Sequence, residues 1–470
     1  MMDKAIYRVL LTVAAGFGLS CSVAAKAEQV VVSVDFGHGK LSVSENRRYL
    51  IHNDGTPFFY LGDTAWQLFA RLNCAETEKY LENRRAKGFT VIQAVVLAEL
   101  DGLNTPNANG DKPLIENDPT RPNEAYFKHV DTVVELARGK GIYIGMLPTW
   151  GDKVTKAWGV GPVVFNEKNA EQYGRFLGGR YKGYPNIIWI LGGDRVADNV
   201  ESIWRAMARG IKAGGDEHLM TYHPQGGRTS ADWFHTDEWL DFNMLQSGHG
   251  KVDMDNYRMI EKDYRRSPVK PCLDGEPRYE NHPVNWKSER GWFNDFDVRQ
   301  AAYWGLLAGG FGHTYGCHDI WQMKSTKWPA ISSARGNWEE SMDLLGAGQM
   351  LHVRRLMESR PMLKRIPDQA VIISGQQEGG RYIQAARGDD YLMAYTPYGD
   401  TIQINDEAIS GVKRKAWWFN PRNGTAELIG EFDRGKKPQF DPPSEPERGN
   451  DWVLVIDDAE KKYAPPGAVR

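Results

Sequence analysis

This sequence contains few cysteines and carries a small net charge. Four of its 470 residues are cysteines, and three of these, Cys74, Cys272 and Cys317, lie beyond a predicted N-terminal leader. An odd number of thiols in an exported chain argues against a disulfide framework. The formal net charge of −3 offers no basic surface for nucleic acid or an anionic membrane. No sequence feature indicates an obligate protein partner.

Motifs of several other enzyme classes are also missing. The sequence has no Gly-x-Ser-x-Gly and no Walker-type signature, which argues against acyl transfer and nucleotide hydrolysis. It has no His-x-x-x-His pair, no cysteine cluster and no His-x-His pair on the first predicted strand of the main domain. We therefore expect no metal and no cofactor. Beyond the leader, no apolar run is long enough to span a membrane.

Residues 1–27 are predicted to be a secretory signal. Two basic residues precede the apolar stretch 9–19, and Ala25-Lys26-Ala27 provides a small-x-small cleavage site. The protein is therefore expected to be periplasmic or secreted. Lipid anchoring through Cys21 is the weaker alternative, because the residues before it form a poor lipobox.

Short apolar runs alternate with amphipathic segments through the next part of the chain. The runs cover residues 58–63, 90–97, 142–148, 187–191, 219–223, 242–246, 269–273 and 310–315. The segments that follow them read as helices at 76–87, 126–140, 169–181, 199–213, 256–264, 297–307 and 337–360. This pattern predicts a (β/α)8 barrel, the TIM barrel, over residues 28–360, with a short strand region before it. An open doubly wound sheet is the second choice, but no glycine-rich phosphate turn follows the first strand.

The pattern changes near Pro361, where helical periodicity stops. Short alternating runs at 370–374, 381–385, 391–395, 415–419, 425–428 and 452–456 are separated by turn signals. Residues 361–470 are therefore predicted to form a C-terminal antiparallel β-sandwich. This domain contains no evident group of acids.

Two carboxylates stand where predicted barrel strands end. Asp194 follows the run 187–191 and a Gly-Gly pair, and Glu276 follows the run 269–273. The carboxyl ends of barrel strands form the catalytic face. A pair of acids there suits glycoside hydrolysis, in which one carboxyl group donates a proton while the other acts on the sugar. Structural alternatives remain open, namely an Asp194–Arg195 pair or a helix cap, and a Glu276–Arg278 salt bridge.

Other polar and aromatic residues are predicted at the same face and would bind an oligosaccharide or polysaccharide substrate. Sugar hydroxyls need polar partners, and sugar rings stack on aromatic side chains. The candidate binding residues are Asp63, Thr64, Trp66, Trp150, Arg195, His223, Gln246, His249, His313, Tyr315 and Trp321. The histidines could instead be structural, or could bind metal in a metal-dependent hydrolase.

Three segments resemble the apiosidase-like glycoside hydrolases. They are residues 49–66, residues 189–195 and the motif Asp274-Gly275-Glu276-Pro277. Members of this family are exported bacterial enzymes that act on the pectin rhamnogalacturonan II. The resemblance implies a retaining endo- or exo-apiosidase with Asp194 as acid/base and Glu276 as nucleophile. A retaining enzyme would hold the two carboxyl groups about 5–5.5 Å apart, and an inverting one about 6.5–9.5 Å apart.

Besides the metal-dependent hydrolase, two other functions remain open at this point. The chain could be a glycosidase of the same fold that acts on another plant polysaccharide. It could also be a non-catalytic, carbohydrate-binding barrel, although a binding protein needs neither acid at these positions.

Overall fold

A computed structural model describes residues 33–436 and 438–468 of the chain. The predicted signal at 1–27 lies outside the described residues, so export stays a prediction. In the described ranges, no helix is both long and apolar enough to cross a bilayer. Before the barrel, Leu41–Val43, Leu50–His52 and Pro57–Phe58 form a small antiparallel sheet.

The predicted (β/α)8 barrel is confirmed, and its strands are labelled here in chain order. They are β1 (Tyr60–Thr64), β2 (Val91–Leu97), β3 (Tyr143–Thr149), β4 (Ile187–Gly192), β5 (Met220–His223), β6 (Asn243–Gln246), β7 (Cys272–Asp274) and β8 (Gly312–Tyr315). Every residue of these strands is buried. Such burial explains the continuous apolar runs, because helices cover the outer face and side chains fill the inside.

The parallel ladder is interrupted between β5 and β6 in the described part of the chain. The Asp241 amide donates to the Met220 carbonyl at 2.9 Å. The Thr221 hydroxyl donates to the Phe242 carbonyl at 2.6 Å, and the Met220 amide donates to the Asp241 carboxylate at 2.7 Å. Side chains therefore help to close the barrel at this seam. A two-residue strand, Arg228–Thr229, pairs antiparallel with β6 beside it.

The longer helices are α1 to α7, and most begin earlier than the apolar periodicity suggests. They are α1 (Cys74–Ala86), α2 (Glu124–Gly139), α3 (Glu167–Tyr181), α4 (Glu201–Ala213), α5 (Asn256–Tyr264), α6 (Asp295–Leu307) and α7 (Leu345–Glu358). Asparagine caps set the starts of α1, α2, α3 and α6. In α1, the Asn73 side chain accepts from the Glu76 amide, and the Glu76 side chain accepts from the Asn73 amide. This capping box satisfies amides that have no partner in the first turn.

Short helical turns occupy many of the connections. Four-residue α-helices lie at Leu68–Arg71, Ala231–Phe234, His318–Trp321 and Trp338–Ser341. 3₁₀ turns lie at Phe36–His38, Ile115–Asn117, Gly151–Lys153, Val284–Trp286, Ser288–Arg290, Met362–Lys364, Gln369–Val371, Gly379–Arg381, Asp406–Ala408 and Ala459–Lys461.

The predicted C-terminal sandwich is also present. Its strands are β9 (Ile366–Pro367), β10 (Ile372–Ser374), β11 (Gln384–Arg387), β12 (Tyr391–Thr396), β13 (Ile402–Ile404), β14 (Lys413–Phe419), β15 (Ala426–Asp433), β16 (Gln439–Phe440) and β17 (Trp452–Asp458). In the described residues they form two antiparallel sheets, ordered β9-β11-β12-β17-β14-β15 and β10-β13-β16.

The central strands of the larger sheet are buried on both faces. Along β17, Val453 and Val455 join the core that is continuous with the barrel, while Leu454 and Ile456 join a separate core inside the sandwich. Because side chains alternate between the faces of a strand, one strand serves both cores. The sandwich is therefore packed onto the barrel through a buried apolar face.

A buried ion pair crosses this contact. The Arg299 guanidinium on α6 reaches both oxygens of Asp451, at 3.1 and 2.9 Å, and both side chains are almost fully buried. Replacing Asp451 with Ala should lower the free energy of unfolding by about 3–5 kcal/mol, because it removes the fully buried counter-charge of Arg299, which then keeps only the partly exposed Asp295. Chemical denaturation measures this change, with the exposed Asp433→Ala variant as control. Equal stabilities of the two variants would contradict the prediction.

Candidate active site

The carboxylate of Glu276 lies just beyond β7, between two imidazole rings. His223 Nε2 is 3.1 Å from Oε2, and His249 Nε2 is 3.0 Å from Oε1. His223 ends β5 and His249 follows β6. Burial by itself would raise the pKa of Glu276, but these two contacts outweigh it and bring the pKa to about 2. Glu276 is therefore an ionised carboxylate across the physiological pH range.

A layer of aromatic rings holds His249 in place. Its ring packs against Tyr279 and His282, with centroid separations of 4.4 and 4.3 Å. His282 makes a contact of 2.7 Å from Nδ1 to the Pro283 carbonyl. Burial lowers the pKa of His282, and His249 lowers it further, so His282 is neutral. The imidazole next to Glu276 thus rests on an uncharged support.

Asp194 follows β4 on a tight turn that needs glycine. The φ angles are 89° at Gly192, 119° at Gly193 and 54° at Asp194. A Cβ atom on Gly192 would lie 2.3 Å from the His223 carbonyl oxygen, and one on Gly193 would lie 2.9 Å from the Gly151 amide. Glycine avoids both the collision and the strain of a positive φ. The Gly-Gly pair therefore lets the chain present the Asp194 carboxyl at the end of the strand.

The carboxyl group of Asp194 has the opposite protonation tendency to that of Glu276. Burial raises its pKa, and the nearby Glu276 carboxylate raises it further. His223, Arg195 and a hydrogen bond from Trp158 Nε1 to Oδ2, at 3.0 Å, act in the other direction. The resulting pKa is about 6. Asp194 can therefore hold or release a proton near neutral pH.

Arg195 orders the loop that carries Trp158. Its guanidinium donates to the carbonyl of Asp194 at 2.8 Å and also to the carbonyls of Trp158 and Thr155. The guanidinium carbon lies 4.2 Å from the centre of the Trp158 ring. Arg195 therefore binds backbone oxygens and stacks under the indole ring, and its guanidinium makes no hydrogen bond with the Asp194 carboxylate.

The two acids share a cavity of about 520 Å³. Its described lining consists of Trp66, Glu99, Leu100, Trp150, Trp158, Gly159, Asp194, Gly226, Gln246, Gly248, His249, Glu276, Tyr279, Trp286, Trp321 and Ile331. The expected binding residues Trp66, Trp150, Gln246, His249 and Trp321 are among them. Trp158 and Trp286 are 47% and 49% exposed. The cavity thus combines acids with aromatic faces, as a sugar site requires.

The other expected binding residues do not line this cavity. His223 lies buried behind Glu276, and Arg195 lies behind Trp158. Thr64 is fully buried on β1, with its hydroxyl 3.5 Å from the Tyr315 carbonyl. His313 is buried on β8 in register with Asp274, and burial lowers its pKa to about 3.

Asp63 and Tyr315 point towards other layers of the protein, contrary to expectation. The Asp63 carboxylate accepts from Arg84 Nε and the Tyr80 hydroxyl, both at 2.5 Å and both on α1. The Tyr315 hydroxyl donates to Glu280 at 2.6 Å. Side chains alternate in direction along a strand, and these two strand positions do not face the cavity. Asp63 forms a buried structural ion pair.

Sequence reasoning missed several residues that the cavity contains. Glu99, Trp158, Tyr279 and Trp286 all lie on loops beyond the strand ends. The three aromatic residues had no periodic pattern to reveal them. Glu99 had a signal, because it follows β2 by two residues, as Asp194 follows β4. Over residues 33–436 and 438–468, no group of three or more His, Cys, Asp or Glu side chains is arranged to hold a metal ion.

The chain is similar to known families and to solved structures. The family model "Apiosidase-like, catalytic domain" matches residues 44–364, and "Putative collagen-binding domain of a collagenase" matches residues 366–457. A solved glycoside hydrolase is 38% identical, with a TM-score of 0.87 over 92% of this chain and 100% of its own. No curated protein matches the chain.

Two structures from Bacteroides vulgatus are also similar. One, described as a glycoside hydrolase of family 5, is 38% identical, with a TM-score of 0.86 over 92% of this chain and 96% of its own. A putative glycoside hydrolase is 16% identical, with a TM-score of 0.63 over 90% of this chain and 82% of its own. The second likeness concerns the fold alone.

The Trp158 hydrogen bond should be visible in the titration of Asp194. Replacing Trp158 with Phe removes a donor that favours the carboxylate, so the pKa of Asp194 should rise above its value of about 6. Carbon-13 NMR of labelled aspartate carboxyl groups measures it. The control is Trp233→Phe, which removes an indole donor to Asp198 outside the cavity. An Asp194 pKa that stays the same or falls would contradict the assignment.

Proposed function

Because the chain belongs to the apiosidase-like family of glycoside hydrolases, we propose that it is a retaining apiosidase acting on side chains of rhamnogalacturonan II. The observation that carries this proposal is the opposite displacement of two pKa values in one cavity. Glu276, at about 2, is a carboxylate ready to attack, while Asp194, at about 6, can hold a proton for the leaving group.

In the first step, a Glu276 oxygen attacks the anomeric carbon and the glycosidic C–O bond breaks. Asp194 gives its proton to the departing oxygen, so the leaving sugar is released as an alcohol. The product is a glycosyl ester on Glu276, and Asp194 is now a carboxylate. This step removes the Glu276 charge that raises the pKa of Asp194. The pKa of Asp194 therefore falls, which favours the carboxylate form that the second step needs.

In the second step, the Asp194 carboxylate takes a proton from water, and the water oxygen attacks the anomeric carbon. The ester bond breaks, the sugar leaves with retained configuration and both acids return to their starting states. His223 and His249 position the Glu276 carboxylate for its attack, since each contacts a different oxygen. The tryptophan faces of the cavity would stack on the sugars.

Replacing Glu276 with Gln should abolish turnover. The amide keeps the shape of the side chain but is not a nucleophile, so kcat should fall by roughly a thousandfold or more. Chromatography of the products from rhamnogalacturonan II measures the release of apiose, either free or at the reducing end of an oligosaccharide. The control is Glu167→Gln on the exposed start of α3. Retained activity in Glu276→Gln would reject the nucleophile, and wild-type products without apiose at the newly formed reducing end would reject the substrate.

The pH profile should follow the proton on Asp194. Its protonated form is the catalyst, so kcat/KM should fall tenfold per pH unit above an apparent pKa of about 6. Below pH 6 the rate should stay level down to near pH 3, because Glu276, with a pKa of about 2, stays ionised there. A rate that rises from pH 6 to pH 8 would contradict these roles. Proton NMR of the first-formed anomer tests retention, and an inverted anomer would contradict it.

A further inference from the structure

Glu99 places a third carboxyl group in the cavity, and neither catalytic step uses it. It lies two residues beyond β2 and lines the cavity together with Asp194 and Glu276. The side chain is partly accessible, whereas the loop around it is anchored through the Glu99 carbonyl, which accepts from Gln67 at 3.3 Å. In the described part of the chain, no hydrogen bond to the Glu99 carboxyl group is found. Its hydrogen-bonding capacity is therefore available to a ligand.

The charged groups around Glu99 give it no counter-charge of its own. Asp194, Asp152 and Glu276 act on it as negative charges, and the cations that face it are Lys153, Arg71 and Arg195. Lys153 already has other partners, because its ammonium group donates to Asp152 and to the Ala98 carbonyl, both at 2.7 Å.

The two arginines also have other partners. Arg71 donates to the Gln322 carbonyl and lies over the Trp328 ring. Arg195 donates to three backbone carbonyls and stacks under Trp158. Burial and the neighbouring carboxylates raise the pKa of Glu99 to about 8. Its carboxyl group is therefore protonated at neutral pH.

A protonated carboxyl group offers one O–H donor and one carbonyl acceptor. This combination fits hydroxyl groups of a sugar, which both accept and donate. An anionic sugar would instead meet the charges of Asp194 and Glu276, and the described lining of the cavity contains no lysine or arginine. The cavity is thus suited to an uncharged sugar unit.

We propose that the carboxyl group of Glu99 binds hydroxyl groups of a neutral sugar unit at the scissile bond, and that this part of the cavity excludes a uronate. The proposal rests on the proposed glycosidase function and adds a residue that selects a neutral sugar unit there. Glu99 is then a specificity-determining residue, which contacts the substrate without transferring a proton to the reacting atoms.

Two variants separate the hydrogen bond from the charge. Glu99→Gln keeps a donor and an acceptor in an uncharged group, and Glu99→Ala removes both. Calorimetric titration at pH 7 with apiose as the neutral probe and galacturonate as the anionic probe should give binding of apiose only. Apiose affinity should be unchanged in Glu99→Gln and about tenfold weaker or worse in Glu99→Ala. Above pH 8, apiose affinity should fall in the wild type and stay level in Glu99→Gln.

The matched controls are Glu116→Gln and Glu116→Ala on the same β2–α2 connection, where Glu116 forms an exposed ion pair with Arg121. Neither should change sugar binding. Equal apiose affinity in the wild type and Glu99→Ala would overturn the proposal, as would equal losses in Glu99→Gln and Glu99→Ala. Galacturonate binding as tight as apiose binding, or no binding of apiose by the wild type, would also overturn it.

The same titrations distinguish this proposal from the proposed function. Release of apiose from rhamnogalacturonan II is measured separately and needs turnover, whereas the titrations need none. Apiose binding that depends on Glu99, together with no released apiose, would reject the substrate assignment and leave the role of Glu99 supported.

Discussion

The charge on Glu276 is the constraint on which the electrostatics of the cavity depend. A buried carboxylate without partners would take up a proton, because burial disfavours its ionised form. Contacts from His223 and His249 prevent this by meeting both carboxylate oxygens. The charge that they keep in place then raises the pKa of Asp194 and contributes to raising that of Glu99. One ionised group thus adds to the effect of burial on the pKa values of its two acidic neighbours.

The supports of the two catalytic candidates differ in kind. Glu276 depends on side chains from neighbouring strand ends, with His249 stacked on Tyr279 and His282. Asp194 depends on backbone conformation, since positive φ angles at Gly192 and Gly193 direct the chain out of β4. Backbone geometry can present a carboxyl group without adding charge beside it. This leaves Asp194 subject to burial and to the field of Glu276, the two causes that raise its pKa.

Periodicity in the sequence was enough to predict the barrel and the sandwich, and the strand-end rule was enough to bring Asp194 and Glu276 into one cavity. It was not enough for Asp63 and Tyr315. Their strands are buried on both faces, so no polar alternation shows which way a given side chain points. Asp63 was therefore expected in the site, although its partner Arg84 lies on α1.

Some loop residues of the cavity could not be predicted from the sequence either. Trp158 and Trp286 line the cavity from connections that carry no periodic signal, and their positions depend on long-range contacts such as the stacking of Arg195 under Trp158. The starts of α1, α2, α3 and α6 were placed late for a local reason, because asparagine caps set these starts and the apolar periodicity does not register them. Capping signals were available in the sequence, whereas the loop contacts were not.

Because the parallel ladder is interrupted between β5 and β6, Glu276 also has a structural role. His223 lies on the β5 side of that gap and His249 on the β6 side, and each contacts a different oxygen of the Glu276 carboxylate. The Glu276 carboxylate therefore links the ends of β5 and β6 across the gap in the parallel ladder. In the proposed mechanism, esterification by a sugar removes the charge of Glu276, so the covalent intermediate and the free enzyme would differ in how firmly the β5 and β6 ends are held together.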